Sequence, residues 1–159
     1  MQPINYGKKT TRGKLSPTVL SYFAGFFDGE GSISIAKVLN KRNNSWNYIL
    51  SVQCSQTVKE PILLLQQIFG GSVQERNRDP KYKTNWHWQI RGQIALNFLR
   101  TMQPYLWLKR NKAQIGIAFQ ESKKYSKLGK KLEYQIIQER ENYRRLIVQP
   151  QRLSGKTTI

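Results

Sequence analysis

Phe23-Ala24-Gly25-Phe26-Phe27-Asp28-Gly29-Glu30-Gly31 ends one regular segment and begins another, and its reading decides the fold. Upstream, Ser16-Pro17 supplies an N-cap followed by proline at the first helical position. Apolar residues continue at helical spacing through Val19, Leu20, Tyr22, Phe23, Ala24, Phe26 and Phe27, and Gly29 and Gly31 predict the stop. Asp28 and Glu30 are the only acids before position 60, and both stand at the C-terminal end of this helix. The helix dipole is negative there and disfavours a carboxylate by ~0.3–1 kcal/mol. Something must offset that cost. A divalent cation held by carboxylate and backbone carbonyl oxygens would do so. For Asp28, a hydrogen bond to the following turn is an equally good account. Glu30, lodged between two glycines, points more firmly to a ligand.

Working outward, Ser32 to Asn40 reads as a strand with Ile33 and Ile35 alternating against serines, and 41–44 as a polar turn. Trp46 to Gln56 alternates more clearly: Trp46, Tyr48, Leu50, Val52 and Cys54 on one side, Asn47, Ser51, Gln53 and Ser55 on the other, with Ile49 alone breaking the polar side. Lys59 to Phe69 returns to helical spacing and Gly70-Gly71 ends it. A second hairpin follows, Ser72 to Arg78 and Asn85 to Arg91. Helices are expected over about 93–102, 108–122 and 132–147. The order α-β-β-α-β-β-α with helical extensions predicts an α+β domain, an antiparallel sheet with helices packed on one face. Residues 16–148 form that single domain, between a basic arm at 1–15 and a basic tail at 149–159. The arm suits DNA phosphates or plain solvation equally.

Charge sets the partner. Twenty-seven Lys and Arg against nine Asp and Glu give a net charge of +18, which a polyanion such as nucleic acid would neutralise. No apolar run approaches the ~20 residues of a spanning helix, so no membrane is expected. Met1 to Pro17 lacks an apolar signal segment, and the single Cys54 suits a reducing interior. An intracellular site is therefore expected, in an organelle or a microbial cytoplasm. One cysteine excludes cysteine-rich zinc sites, and one histidine, His87, excludes chemistry that needs several. Ser154-Gly155-Lys156-Thr157 lacks the preceding glycine, strand and helix of a phosphate-binding loop.

The polar side of the two hairpins is the candidate reading surface. Ser34, Asn40, Arg42, Asn47, Ser51, Gln53, Ser55, Gln74, Arg76, Arg78, Asn85, His87, Gln89 and Arg91 bear the groups that bond base edges, almost without carboxylates, and Lys112 adds a phosphate contact. Strands of about nine residues at ~3.3 Å span roughly 30 Å, or about nine base pairs.

The nonapeptide 23–31 resembles the LAGLIDADG motif of homing endonucleases, keeping Ala24, Gly25, Asp28, Gly29 and Gly31 with an acid at Glu30. Gln53-Cys54-Ser55-Gln56 and Gln103-Pro104-Tyr105-Leu106-Trp107-Leu108-Lys109 are similar to the corresponding segments of single-motif members, so the resemblance covers roughly 16–122. It implies the αββαββα saddle-shaped sheet and a homodimer whose motif helices pack through Ala24, Gly25, Phe26 and Asp28. It also implies Mg²⁺, with Mn²⁺ as a substitute, bound by Glu30 and the Gly29 carbonyl. Gln56 would then position water, and Lys109 would stabilise charge on phosphate or simply contact it. Double-stranded DNA would be cut across the minor groove, leaving 3′ overhangs, at a pseudo-palindrome of about twenty base pairs. One departure stands out: the basic residue that commonly follows Gln56 by four positions is Glu60 here. Either neighbouring Lys59 takes that role or the role is lost. An RNA maturase and a catalytically inactive DNA-binding protein are the alternatives on the same fold.

Overall fold

A computed structural model describes residues 15–42, 44–77, 81, 83–123 and 133–149. Almost all of the arm 1–15, the tail 149–159 and Arg78 lie outside the described residues. The element order is α1 (Pro17–Glu30), β1 (Gly31–Asn40), β2 (Ser45–Gln56), α2 (Lys59–Phe69), β3 (Ser72–Arg76), β4 (Asn85–Arg91), α3 (Gly92–Met102), α4 (Arg110–Ser122) and α5 (Tyr134–Val148). The predicted α+β order is present, with boundaries moved by one or two residues.

Ser16 caps α1 by accepting from the Val19 N–H at 3.3 Å, with Pro17 in the first turn. The helix runs on through Gly29 to Glu30, further than glycine's helix-breaking tendency predicted. Gly31 then turns the chain into β1. A Cβ there would lie 2.2 Å from the ring of the fully buried Phe27, so the helix-to-strand junction closes only around glycine.

The four strands form one antiparallel sheet in the order β1-β2-β4-β3. The two hairpins meet along β2 and β4, where Val52 pairs with Ile90 and Cys54 with Trp88. One face carries Ile33, Ile35, Tyr48, Leu50, Val52, Cys54, Trp88 and Ile90, all buried beneath the helices. Burying an aliphatic chain of this kind contributes roughly 1.5–3 kcal/mol. Trp88, fully buried, sends its indole N–H to the Gly70 carbonyl at 2.8 Å, where α2 ends. Gly70 and Gly71 there have φ of 76° and 93°, which suits glycine.

The dry face is not dry to its end. Trp46 is 43% exposed and Leu39 41%, because the tip of the β1–β2 hairpin extends past the helical layer. The Lys37 ammonium lies 5.0 Å from the Trp46 ring and covers part of it.

The terminal helix α5 packs on α4 and β1. Its Glu141 accepts the Tyr48 hydroxyl at 2.8 Å, the Lys37 ammonium at 3.1 Å and the Arg144 guanidinium at 2.9 Å. The Tyr48 hydrogen bond, followed by those of Lys37 and Arg144, holds the Glu141 carboxyl down to about 2, against an ordinary 4.5. The folded value lies below the unfolded one, so this contribution is complete above about pH 4.5 and lost as pH falls toward about 2. Glu141→Gln should flatten the acid limb of the melting-temperature profile across that window. An unchanged slope relative to the parent chain would contradict this.

Candidate nucleic-acid interface and catalytic centre

The two carboxylates at the end of α1 separate by burial. Asp28 is 9% exposed, and its two oxygens accept the backbone N–H groups of Trp107 (2.7 Å), Leu108 (3.1 Å) and Lys109 (2.9 Å). These residues lead into α4, whose own N-cap position, Lys109, offers no side-chain acceptor. Asp28 is therefore badly placed for the dipole of α1 and well placed for that of α4. It was expected to serve a contact between two copies or to bond the following turn. Instead it is enclosed in its own chain and bonds a turn 79–81 residues away. The sequence held one signal for this: a basic helix start at Leu108-Lys109-Arg110 with no capping residue of its own.

Glu30 is the exposed last residue of α1. The Lys109 ammonium donates to the Asp28 backbone carbonyl and interacts electrostatically with Glu30 and Cys54. Burial pulls the Lys109 ammonium below its usual range, against the opposing charge of Asp28. Cys54, register partner of Gly31, has its thiol pushed up to about 12, first by burial and then by the Glu30 charge. At that value it stays protonated. Glu30, Lys109 and Cys54 thus share one locus, which sequence spacing predicts only in part, since alternation along β2 places Cys54 simply in the core.

Gln56 ends β2, two residues beyond Cys54 on the same side of the sheet. Its amide oxygen accepts from the Thr57 N–H at 2.7 Å and the Thr57 hydroxyl at 3.1 Å. Glu60 lies in the first turn of α2, where the dipole favours an acid. Lys59 sets its ammonium 4.2 Å from the ring of Trp86, the register partner of Gln56.

On the outer face of the sheet, strand register brings the expected reading residues together. Ser34 stands opposite Ser51, Gln53 opposite Gln89, Ser55 opposite His87, Gln74 opposite His87, and Arg76 opposite Asn85. Exposure divides them. Arg42, Asn47, Gln74, Arg76 and Arg91 are exposed, while Ser34, Asn40, Gln53, Ser55, Asn85 and Gln89 are half-buried. Asn40 accepts the Arg42 N–H at 3.0 Å and so shapes the turn. Ser51 and His87 are each 3% exposed and do not face solvent as expected. Gln89 donates to the Ser51 hydroxyl at 3.0 Å, and Ser55 bonds the His87 Nδ1 at 2.8 Å. Burial, then the nearby Arg76 charge, lowers the His87 pKa, favouring the neutral ring. Ile49, expected to be the lone apolar break, pairs with Ala36 beside exposed Val38, so this face carries a small apolar patch. Lys112 lies half-buried in the first turn of α4.

The outward side of α1 also differs from expectation. Ala24 is fully buried in its own core, and Phe26 is half-buried against it. The exposed small residues are Ser21, Gly25 and Gly29, four apart, which places them on one stripe. A Cβ on Gly25 or Gly29 would meet nothing within 4 Å.

The sequence profile of the LAGLIDADG endonuclease family matches residues 23–115. The chain belongs to that family. Among curated proteins no relative matches. The fold is similar to that of the homing endonuclease I-CvuI, solved on DNA in the presence of Mg, with a TM-score of 0.69 and 21% identity over 82% of this chain and 80% of that one. An archaeal intron-encoded homing endonuclease, I-Vdi141I, complexed with DNA, aligns at a TM-score of 0.55 and 14% identity, covering 79% of this chain and 96% of that one. I-GzeII, in complex with its DNA target, aligns at 0.61 and 18%, over 79% of this chain and 43% of that one.

Proposed function

We propose that the chain is a site-specific double-strand DNA endonuclease of the intron-homing kind, acting as a homodimer with Mg²⁺ on a pseudo-palindrome of about twenty base pairs. The observation that carries this reading is the placing of Glu30. It stands exposed at the end of a helix whose outer stripe is Ser21, Gly25 and Gly29, and it is coupled to the Lys109 charge.

Glu30 and the Gly29 carbonyl are hard oxygen donors of the kind Mg²⁺ takes alongside water. Among the described residues of one chain, no three His, Cys, Asp or Glu gather as a complete set. Close packing of two α1 helices through the small-residue stripe would bring a second Glu30. The two Glu30 carboxylates and Gly29 carbonyls would hold Mg²⁺, or Mn²⁺, which when bound would supply positive charge to the scissile phosphate and lower the pKa of water.

The chain's own residues prepare the rest. Asp28 anchors the loop that presents Lys109, whose ammonium is then aimed at charge developing on phosphate. Gln56 has its amide oxygen occupied by Thr57, which leaves the NH₂ for a water or a phosphate oxygen. Lys59, held over Trp86 next to Gln56, would supply a second cation, which the acid Glu60 does not. On the outer face, exposed Arg76, Arg91, Gln74 and Asn47 offer hydrogen bonds to base edges, and Ala36, Val38 and Ile49 offer contact to thymine methyls. Ser51 and His87 would act beneath them, steadying Gln89 and Ser55.

The test is cleavage of a plasmid carrying the joined DNA flanks of the gene, with Mg²⁺ or Mn²⁺ present. Linear product with 3′ overhangs is expected. Binding without cutting at every candidate site would sink the enzyme reading in favour of an inactive DNA-binding protein, and stimulation of intron splicing alone would indicate a maturase.

A further inference from the structure

The exposed side of α1 does not end at its glycines. Towards the N-terminal half a groove of about 390 Å³ opens between α1 and α2, lined by Val19, Phe23, Pro61, Leu64 and Ile68. Tyr22 also lines it, its ring edge-on to Phe23 at 5.2 Å, yet is 59% exposed, three residues before Gly25 on the same side of the helix.

Charge says what this surface is for. Of 27 Lys and Arg in the chain, none falls in residues 17–30 and none in 60–75. Lys59, the one cation at the start of α2, folds over Trp86. A surface stripped of cations in a chain of net charge +18 is unsuited to phosphate, yet it is where two such chains can approach with least repulsion. Tyr22 of the groove precedes Gly25 by three residues on α1, and nothing lies within 4 Å of a Cβ added at Gly25 or Gly29.

We propose that this groove receives Tyr22 of a second copy of the chain, reciprocally, so that two aromatic knobs lock the dimer. This rests on the homodimer reading above. If each α1 brings Glu30 to a shared site, the two helices run side by side and the same turn of each faces the other. The partner's Tyr22 then stands level with the pocket formed by Val19 and Phe23. An isologous contact of this kind fills both grooves at once. A large, stiff aromatic anchor in a pocket is the type of residue that dominates interface energetics. Glu60 also lines the groove, and in the dimer its carboxylate would offer an acceptor to the incoming phenol hydroxyl.

Sedimentation equilibrium on the full chain tests this with Tyr22→Ala, Leu64→Lys and, as a variant of the glycine stripe, Gly25→Trp. Tyr22→Ala should raise the dimer dissociation constant about 30-fold, the size of an interface anchor, with an unchanged circular dichroism spectrum. Leu64→Lys should weaken it at least as much. If Gly25→Trp breaks the dimer while Tyr22→Ala and Leu64→Lys assemble as tightly as the parent, the groove proposal is overturned and the homodimer stands. If the parent chain stays monomeric at every concentration, both readings fail. Loss of thermal stability with unchanged assembly would mean that the groove serves only its own chain, and would also overturn the proposal.

Discussion

Glu30→Gln should reduce DNA cleavage by about 10³-fold or more, the scale of losing a charged ligand from a preorganised phosphoryl-transfer centre, while binding of the same DNA is retained or tightened. Glutamine keeps the shape of the side chain and removes the charge. Glu30 is exposed, and among the described residues no hydrogen bond ties its side chain to the fold, so the charge can be removed without disturbing the packing. Retained or tighter binding follows because a +18 chain approaching a polyanion loses one repulsive carboxylate on the cleavage side. Gel-shift affinity and single-turnover cleavage on one DNA separate the two effects. Loss of binding in parallel with loss of cutting would show that Glu30 is structural and would remove the basis of the proposed metal site.

The second large effect lies two residues earlier and has the opposite character. Asp28→Ala should lower stability by about 3 kcal/mol, because three part-buried backbone N–H groups at the start of α4 lose a charged acceptor together. For a domain of this size that is a fall in Tm of roughly 6–12 °C. Asp28→Asn keeps an acceptor oxygen in place and should fall between the two. Cleavage should weaken in the alanine variant even well below its Tm, because Lys109 is presented by the loop that Asp28 anchors. A calorimetric Tm within about 2 °C of the parent would refute the capping role.

These two carboxylates show how much of the molecule was legible beforehand. Both were visible as acids at an unfavourable helix end, and that electrostatic oddity is a local property of the chain. Its resolution was not local. Whether a carboxylate meets a metal or the N-terminus of another helix depends on what α4 brings alongside, and α4 begins only at Arg110. Much the same holds for Ala24. Helical spacing predicts that it lies near Gly25, but 100° of rotation per residue separates a core position from an exposed one, and only the packing of α1 on β1 and β2 sets that rotation.

The strands and helices themselves, the α+β class and the polar outer face were readable because they depend on periods of two and 3.6 residues, on glycine and proline at the ends, and on which side chains avoid water. The family motif was readable for the same reason: its glycines and acids are contiguous, from Phe23 to Gly31. What contiguous sequence could not convey was which polar residues stay accessible once four strands are in register. Ser51 and His87 share the parity of Asn47 and Arg91, yet they are buried while the others are exposed. Alternation assigns a side chain to a face, whereas burial on that face depends on neighbours from other strands, Gln89 over Ser51 and Ser55 against His87. The helix-end acid Glu30 was thus evident from the chain alone, and its partnership with Lys109 and Cys54 arises only when Gly31 pairs with Cys54 and Asp28 anchors the start of α4.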